Sequence, residues 1–430
     1  MIVNSIFKKT ILGSSLALIM APAAYATNGL APTGLGQIHK AMGGAAAGNP
    51  QNTTSMMTNP ASASFIDDGY DVDGEIFQPN RTVKSNVFGT RYTGDGVSAF
   101  FIPEAGYKRS VGKYAIGIAA YGNGGMNTDF EKATTSPAFP SQGQAGAPPA
   151  GTAIPFNATP NGLAGRTGID FQQLFISPTI STKLNENHSV GLSVNFVAQQ
   201  FQAKGLWALT PNSASPGDFT NRGKSKSYGV GATLGYMGKL NDKFTVGASY
   251  RMKTNMGKLK KYKGLFPNGG EMDVPAALTV GASVKVTPST TVALDVQKIY
   301  YSDVSAIGNS SSIRKPFGSS GGPGFGWDDQ TVFKIGVKAQ TTPKLAVMAG
   351  YNHGDSPVGP EDTFFGSLTP AVVEDHLSLG FEYALSKSSA IVGTYTHTFK
   401  NTVKGDLAKG QPFDLTMDQD AVGIGFSKTF

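Results

Sequence analysis

The residues of this sequence best suited to chemistry are five histidines, and their spacing argues against a metal or catalytic role. His39, His188, His353, His376 and His397 are scattered along 430 residues, with no H-x-x-x-H or H-x-H pair to hold an ion. The stretch GVGATLG (229–235) misses the dinucleotide-binding spacing by one residue, and its glycines fit a crowded strand face. No G-x-S-x-G nucleophile turn occurs, and serines near His397 would form a hydrolase site only by coincidence of folding. No catalytic residue, metal or cofactor is expected.

The elements that carry these residues alternate with a period of two. LFISPTISTKL (174–184) sets Leu174, Ile176, Pro178, Ile180 and Leu184 against Phe175, Ser177, Thr179, Ser181 and Lys183. SVGLSVNFVAQQ, AALTVGASVKV, TVALDVQKIYY, HLSLGFEYAL and AVGIGFSKTF repeat the pattern, an apolar face opposite a small or polar one. Tight turns are expected at 109–113, 185–187, 241–242, 288–289, 342–343 and 387–388. Long irregular loops fall between them, the longest at 123–168. Short connections on one side and long ones on the other predict a transmembrane antiparallel β-barrel, all-β, of about fourteen strands. The strands start near 70, 97, 113, 170, 188, 225, 243, 274, 290, 328, 344, 374, 388 and 417. Many run longer than the roughly six residues usual in a soluble sandwich. Tyr300, Tyr301, Tyr351, Tyr383, Tyr395 and Phe399 near strand ends suit interfacial girdles. Phe430 closes an alternating terminal strand, the kind of signal that barrel-assembly machinery reads. Lys285, Asp295, Lys338 and Glu382 lie on the polar faces and are expected to line the lumen, because a lipid-facing charge costs about 2–4 kcal/mol at midplane.

Lys8 and Lys9, the apolar run TILGSSLALIM and AYA (24–26) read as a signal peptide over 1–26. The formal charge of +7 is scattered rather than clustered, which disfavours nucleic acid. Cysteine is absent from the sequence, so disulfides play no part.

A fourteen-stranded barrel leaves a hole unless something fills it. Residues 27–66, small and nearly uncharged, are the expected plug, with the barrel over 67–430; few charges would then need desolvation.

GLGQ (34–37), GGAAAG (43–48), NPAS (59–62), AYGNGGMNTDF (120–130), the hairpin of 274–304, GDSPVGPED (354–362) and GTYTHTF (393–399) resemble, in order, the FadL-type long-chain fatty-acid transporter family. The likeness spans nearly the whole mature chain. It implies an N-terminal hatch, capture of greasy ligands by outer loops, and lateral exit at an inward kink of the third strand. Gly34, Leu35, Gly36, Lys40, Asn59, Pro60 and Ala61 would be hatch and ligand-binding residues, with Lys40 the nearest cation for a carboxylate. Asn123, Gly124 and Gly125 would form the kink, with Asn59–Ala61 abutting it; a plain strand-to-loop turn is the other reading of these glycines. Leu206, Trp207, Leu209, Leu265 and Phe266 would either capture ligand or pack the loops. The expected activity is passive uptake of hydrophobic small molecules by a monomer in contact with outer-membrane lipid. Long-chain fatty acids are the first candidate, and neutral monoaromatic hydrocarbons or a general porin are the alternatives. The segment SPAFPSQGQAGAPPAGTAIPFNATPNG (136–162) departs from the family pattern in its length and its Pro and Gly content.

Overall fold

Alternating segments with tight turns leave each strand's backbone groups to pair with its neighbours, and a closed sheet is how a membrane protein satisfies all of them. In a computed structural model describing residues 27–86, 89, 91–130 and 166–430, with four short β segments between 138 and 163, this is the architecture found. The barrel strands are β1 (Gly69–Ser85), β2 (Phe100–Val111), β3 (Tyr114–Phe130), β4 (Thr167–Lys183), β5 (His188–Lys204), β6 (Ser225–Lys239), β7 (Phe244–Arg251), β8 (Ala277–Thr287), β9 (Thr290–Ile299), β10 (Gln330–Gln340), β11 (Leu345–Gly354), β12 (Asp375–Ser386), β13 (Ser389–Val403) and β14 (Phe413–Thr429). Each pairs antiparallel with the next, and β14 closes on β1 from Gly69↔Thr429 to Ser85↔Phe413. A short strand, Arg91–Thr93, lies beside the outer end of β1. Five of the six expected tight turns fall between consecutive strands; the sixth, 109–113, begins within β2, which runs to Val111 and turns at 112–113. The signal-peptide expectation lies outside the described residues.

Outward faces are apolar and exposed, as at Val72, Ile118, Phe196, Leu294, Phe381 and Ile424. That is the surface a barrel presents to lipid. Tyr351, Tyr383, Tyr395 and Phe399 lie among these exposed side chains, but Tyr301 does not. It is fully buried, its hydroxyl donating to Asn28 O (2.5 Å) and accepting from Leu30 N (2.9 Å). The expected girdle residue instead anchors the inner segment.

Residues 27–66 fold inside the barrel as short turns and helices, Gln37–Ala41, Ser55–Thr58 and the 3₁₀ turn Pro60–Ser64. The small residues on the inward strand faces make room for them. A Cβ at Gly191 would strike the Pro60 backbone, one at Gly247 the Ala47 carbonyl, and one at Gly350 the Met42–Gly43 peptide. The small face of the alternation is thus the imprint of a segment packed against it.

Candidate functional site: two chambers and a gap in the wall

The inner segment packs apolar residues such as Ile38, Met42 and Met56 against the wall and is further held by wall carboxylates. Gly36 N donates to Glu104 (2.9 Å) and Gln37 N to Asp73 (2.8 Å). Thr53 N donates to Asp71 (2.8 Å), and Ala46 N and Ala47 N share Asp295 (2.8 and 2.9 Å). Sequence reasoning placed Asp295 on the lumen face but missed this use of it, and missed the β1 and β2 carboxylates altogether. The signal was present in DVDGE (71–75), three acids two residues apart on one inward face.

Lys40 answers these acids. Its ammonium, 1 % exposed as a residue, lies 3.1 Å from Glu75 and 3.4 Å from Glu104. Burial pulls its pKa down, but Glu104 and Glu75 more than offset this and hold it above the ordinary lysine value. The expectation that Lys40 greets a ligand carboxylate is corrected: its charge is committed to the seam between segment and wall. His39 beside it is fully buried between the Leu35 and Asn49 carbonyls (3.2 Å each). Burial outweighs both contacts and lowers its pKa to about 4.

Asn59 caps its turn through Ala61 N (3.0 Å) and donates to Ala47 O and Tyr236 O (2.7 and 2.9 Å). Ala61 O accepts from Ser181 and Ser189 (3.3 and 2.9 Å). Asn59, Pro60 and Ala61 therefore brace the segment against β4–β6 near the short turns. They do not abut the β3 kink, as expected above, because polar partners on those strands claim them.

At the expected kink the structure shows a bulge. β3 continues to Phe130, so the segment after Asn123 is strand and not loop. Its ladder with β4 shifts between Gly122 and Gly124, leaving Asn123 as the extra residue, while Gly124 and Gly125 pair with Gln173 and Gln172. Neither glycine has a positive φ. One inserted residue, rather than special glycine geometry, bends the strand. On its other side β3 pairs with β2 only as far as Glu104↔Tyr121. Phe100–Pro103 of β2 still pair with β1 but have no ladder partner on β3. The wall closes again further out, where Asp129 N donates to Gly94 O and Gly96 N to Asp129 O (2.9 and 3.0 Å). A gap is left between 97–103 and 122–128.

Asn123 also lines an inner chamber with Gly34, Leu35, Met57, Arg251 and Lys334. Arg251 donates to Asn123 Oδ1 (2.6 Å) and lies over the Phe175 ring (5.9 Å). Lys334 is 6 % exposed and stands opposite Asp295 in the β9–β10 ladder. No carboxylate lines this chamber. The inward alternation Thr245, Gly247, Ser249, Arg251 could have exposed Arg251; nothing local joins it to Lys334, 83 residues later (334 − 251).

Towards the outside lies a second chamber of about 330 Å³, lined by Leu265, Phe266, Phe201, Phe317, Phe325 and Phe365 among others, with no charged residue. Leu265 and Phe266 therefore face a cavity. Leu206 and Leu209 pack with Leu265 and Phe266 in one large apolar cluster of loop and strand residues, and Trp207 is only partly buried. Of the two expectations for these loop residues, packing describes Leu206, Leu209, Leu265 and Phe266 alike.

The model of the outer membrane protein transport protein family (OMPP1/FadL/TodX) matches residues 13–430. No curated protein matches the sequence. Among solved structures, the toluene transporter TodX of P. putida is 17% identical with a TM-score of 0.67, covering 93% of this chain and 99% of its own. The toluene transporter TbuX of Ralstonia pickettii is 18% identical with a TM-score of 0.62, over 93% and 99%. A FadL homologue of Pseudomonas aeruginosa is 14% identical with a TM-score of 0.67, again over 93% and 99%. At such identities these likenesses concern the fold.

Proposed function

The chain belongs to the OMPP1/FadL/TodX family of outer membrane transport proteins, and from that premise we propose that its cargo is a long-tailed acid, most simply a long-chain fatty acid. It is a transport channel of the outer membrane and not an enzyme. The observation that carries the choice of cargo is the inner chamber. There, apolar Leu35 and Met57 share a lining with Arg251 and Lys334, and no carboxylate belongs to that lining. Burying the tail supplies about 0.8 kcal/mol per CH₂, and a charge-assisted hydrogen bond to the head adds about 1.5–3 kcal/mol. The tail gives affinity, and the head gives selection.

In this reading ligand enters the apolar outer chamber and settles in the inner one with its carboxylate towards Arg251 and Lys334. It leaves sideways through the gap between β2 and β3. Residues 27–66 act as the hatch that keeps the lumen from being an open pore, which argues against a general porin. Uptake of neutral aromatic hydrocarbons is the second reading, favoured by the uncharged phenylalanine lining of the outer chamber. Uptake of a radiolabelled long-chain fatty acid and of the matching fatty alcohol separates the two. Lys334→Met should lower uptake of the acid roughly tenfold, the worth of one charged hydrogen bond, and leave the alcohol unchanged. Equal uptake of the acid by both proteins would favour the neutral-cargo reading.

A further inference from the structure

The gap between β2 and β3 is crossed at its outer end by one side chain from a third strand. Arg81 of β1 faces inward and is 2 % exposed, among the largest fully buried side chains of the described residues. Its Nη2 donates to Val97 O on the approach to β2 (2.5 Å). Its Nη1 donates to the Asn127 backbone carbonyl of β3 and to Asn127 Oδ1 (3.1 Å). Nε donates to Asp95 (3.1 Å), which also accepts from Arg81 N (2.9 Å). The guanidinium lies over the Phe100 ring at 5.8 Å, and Phe100 belongs to the unpaired stretch of β2.

Each of these partners stands at an edge where the ladder is broken. Val97 lies just before the unpaired residues of β2, and Asn127 lies on the part of β3 that pairs with β4 alone. Backbone carbonyls facing a gap need donors, since a buried orphan costs free energy. The planar fork of an arginine can serve two carbonyls at once, where a lysine ammonium acts as a compact point charge.

We infer that Arg81 is a crossbar: it ties the two edges of the lateral gap together and thereby limits the girth of what passes. It is a positioning and selectivity residue that acts on the edges of the gap. The inference rests on the lateral exit proposed above and adds the element that sets its width. Two consequences follow from the geometry. Without the guanidinium, Val97 and Asn127 lose their common partner and the outer end of the gap can open further. With those two positions bridged covalently, the gap cannot open at all.

The test uses the full-length protein in cells, with two ligands of equal carbon number, a straight-chain fatty acid and one ending in a cyclohexyl ring. The absence of cysteine from the sequence makes a cleavable cross-linker between Val97→Cys and Asn127→Cys unique. Membrane abundance and the unboiled gel shift are measured for every variant. Arg81→Met should raise the uptake ratio of ring-ended to straight ligand roughly tenfold, the low end of what a shaped wall discriminates. Arg81→Lys should give a ratio between the two, and this milder variant carries the test if the methionine protein folds poorly. The cross-link should stop uptake of both ligands until it is cleaved. A stopped cross-linked protein with an unchanged ratio in both Arg81 variants would overturn the crossbar and leave the exit standing. Full uptake by the cross-linked protein would overturn both.

Discussion

The inner segment and the outer cap both pack apolar residues within the barrel, and they differ in the polar contacts that the inner segment adds. The cap is an apolar cluster of loop side chains and outer strand ends, with Phe201 of β5 edge-on to Phe266 at 4.7 Å and to Tyr262 at 4.9 Å. The inner segment rests on carboxylates that accept its backbone amides, and on the Lys40 ion pairs. Each neutral or charge-assisted bond is worth only about 0.5–3 kcal/mol net, because water offers nearly as good a partner. A seam of this kind can be exchanged bond by bond for water, which suits a part that must move. Apolar packing attracts greasy molecules without direction, which suits a part that must catch them. In the function proposed above, gating falls to residues 27–66 and capture to the loops.

The largest effect should come from breaking the seam at Lys40, whose ammonium lies buried between two wall carboxylates. Lys40→Met leaves Glu75 and Glu104 facing each other without a counter-charge, and losing one partner of such a pair costs about 3–5 kcal/mol. The hatch should loosen while the barrel stays folded, seen as faster entry of a small polar antibiotic and as protease cleavage within 27–66. Intact exclusion at normal abundance would mean that the seam does not hold the gate.

Breaking the cap should do something different. Leu265→Ala removes part of the outer chamber's lining at a cost of about 2–3 kcal/mol, at the lower end for leucine because a cavity already adjoins it. Half-saturation of uptake should move to higher ligand concentration with no polar leak. A leak here, or none in Lys40→Met, would reverse the assignment.

The smallest effect is one of pH. His39 has its pKa lowered to about 4 in the folded segment from 6.5 in water. The folded form therefore binds fewer protons than the released one, and stability rises with pH across this window. The contribution is fully present above pH 6.5 and is lost as pH falls towards 4, amounting to roughly 1 kcal/mol at pH 5.5. Polar leak through wild-type protein should grow over that range, and His39→Gln should flatten the rise. An unchanged slope in the variant would place the sensitivity in other groups.

Much of the barrel was legible because membrane strands must alternate and must close. The tight turns at 185–187, 241–242 and 342–343 could be placed from their residues alone, as could the inward position of Asp295. β3 was harder to read. Glycines at 124 and 125 look like a strand end, yet the strand runs on to Phe130 because its pairing with β4 survives a single inserted residue. Lys40, Tyr301 and Arg251 were misread or missed for a common reason. Each owes its role to partners distant in the chain, Glu104, Leu30 and Asn123 respectively, and no local spacing records such meetings. The inward glycines were read as a small face, without the segment that requires them.

The central claim is that cargo leaves through the wall beside the bulge in β3, and deleting Asn123 tests it most directly. The deletion removes the extra residue, makes the β3–β4 ladder regular from Gly122 onward, and lets β3 run straight enough to pair with Phe100–Pro103. Uptake of a radiolabelled long-chain fatty acid by intact cells should fall to background, at normal surface abundance and with the unboiled gel shift preserved. Uptake equal to wild type in that regularised barrel would contradict the account, because cargo would then be leaving by a route that does not cross the wall between β2 and β3.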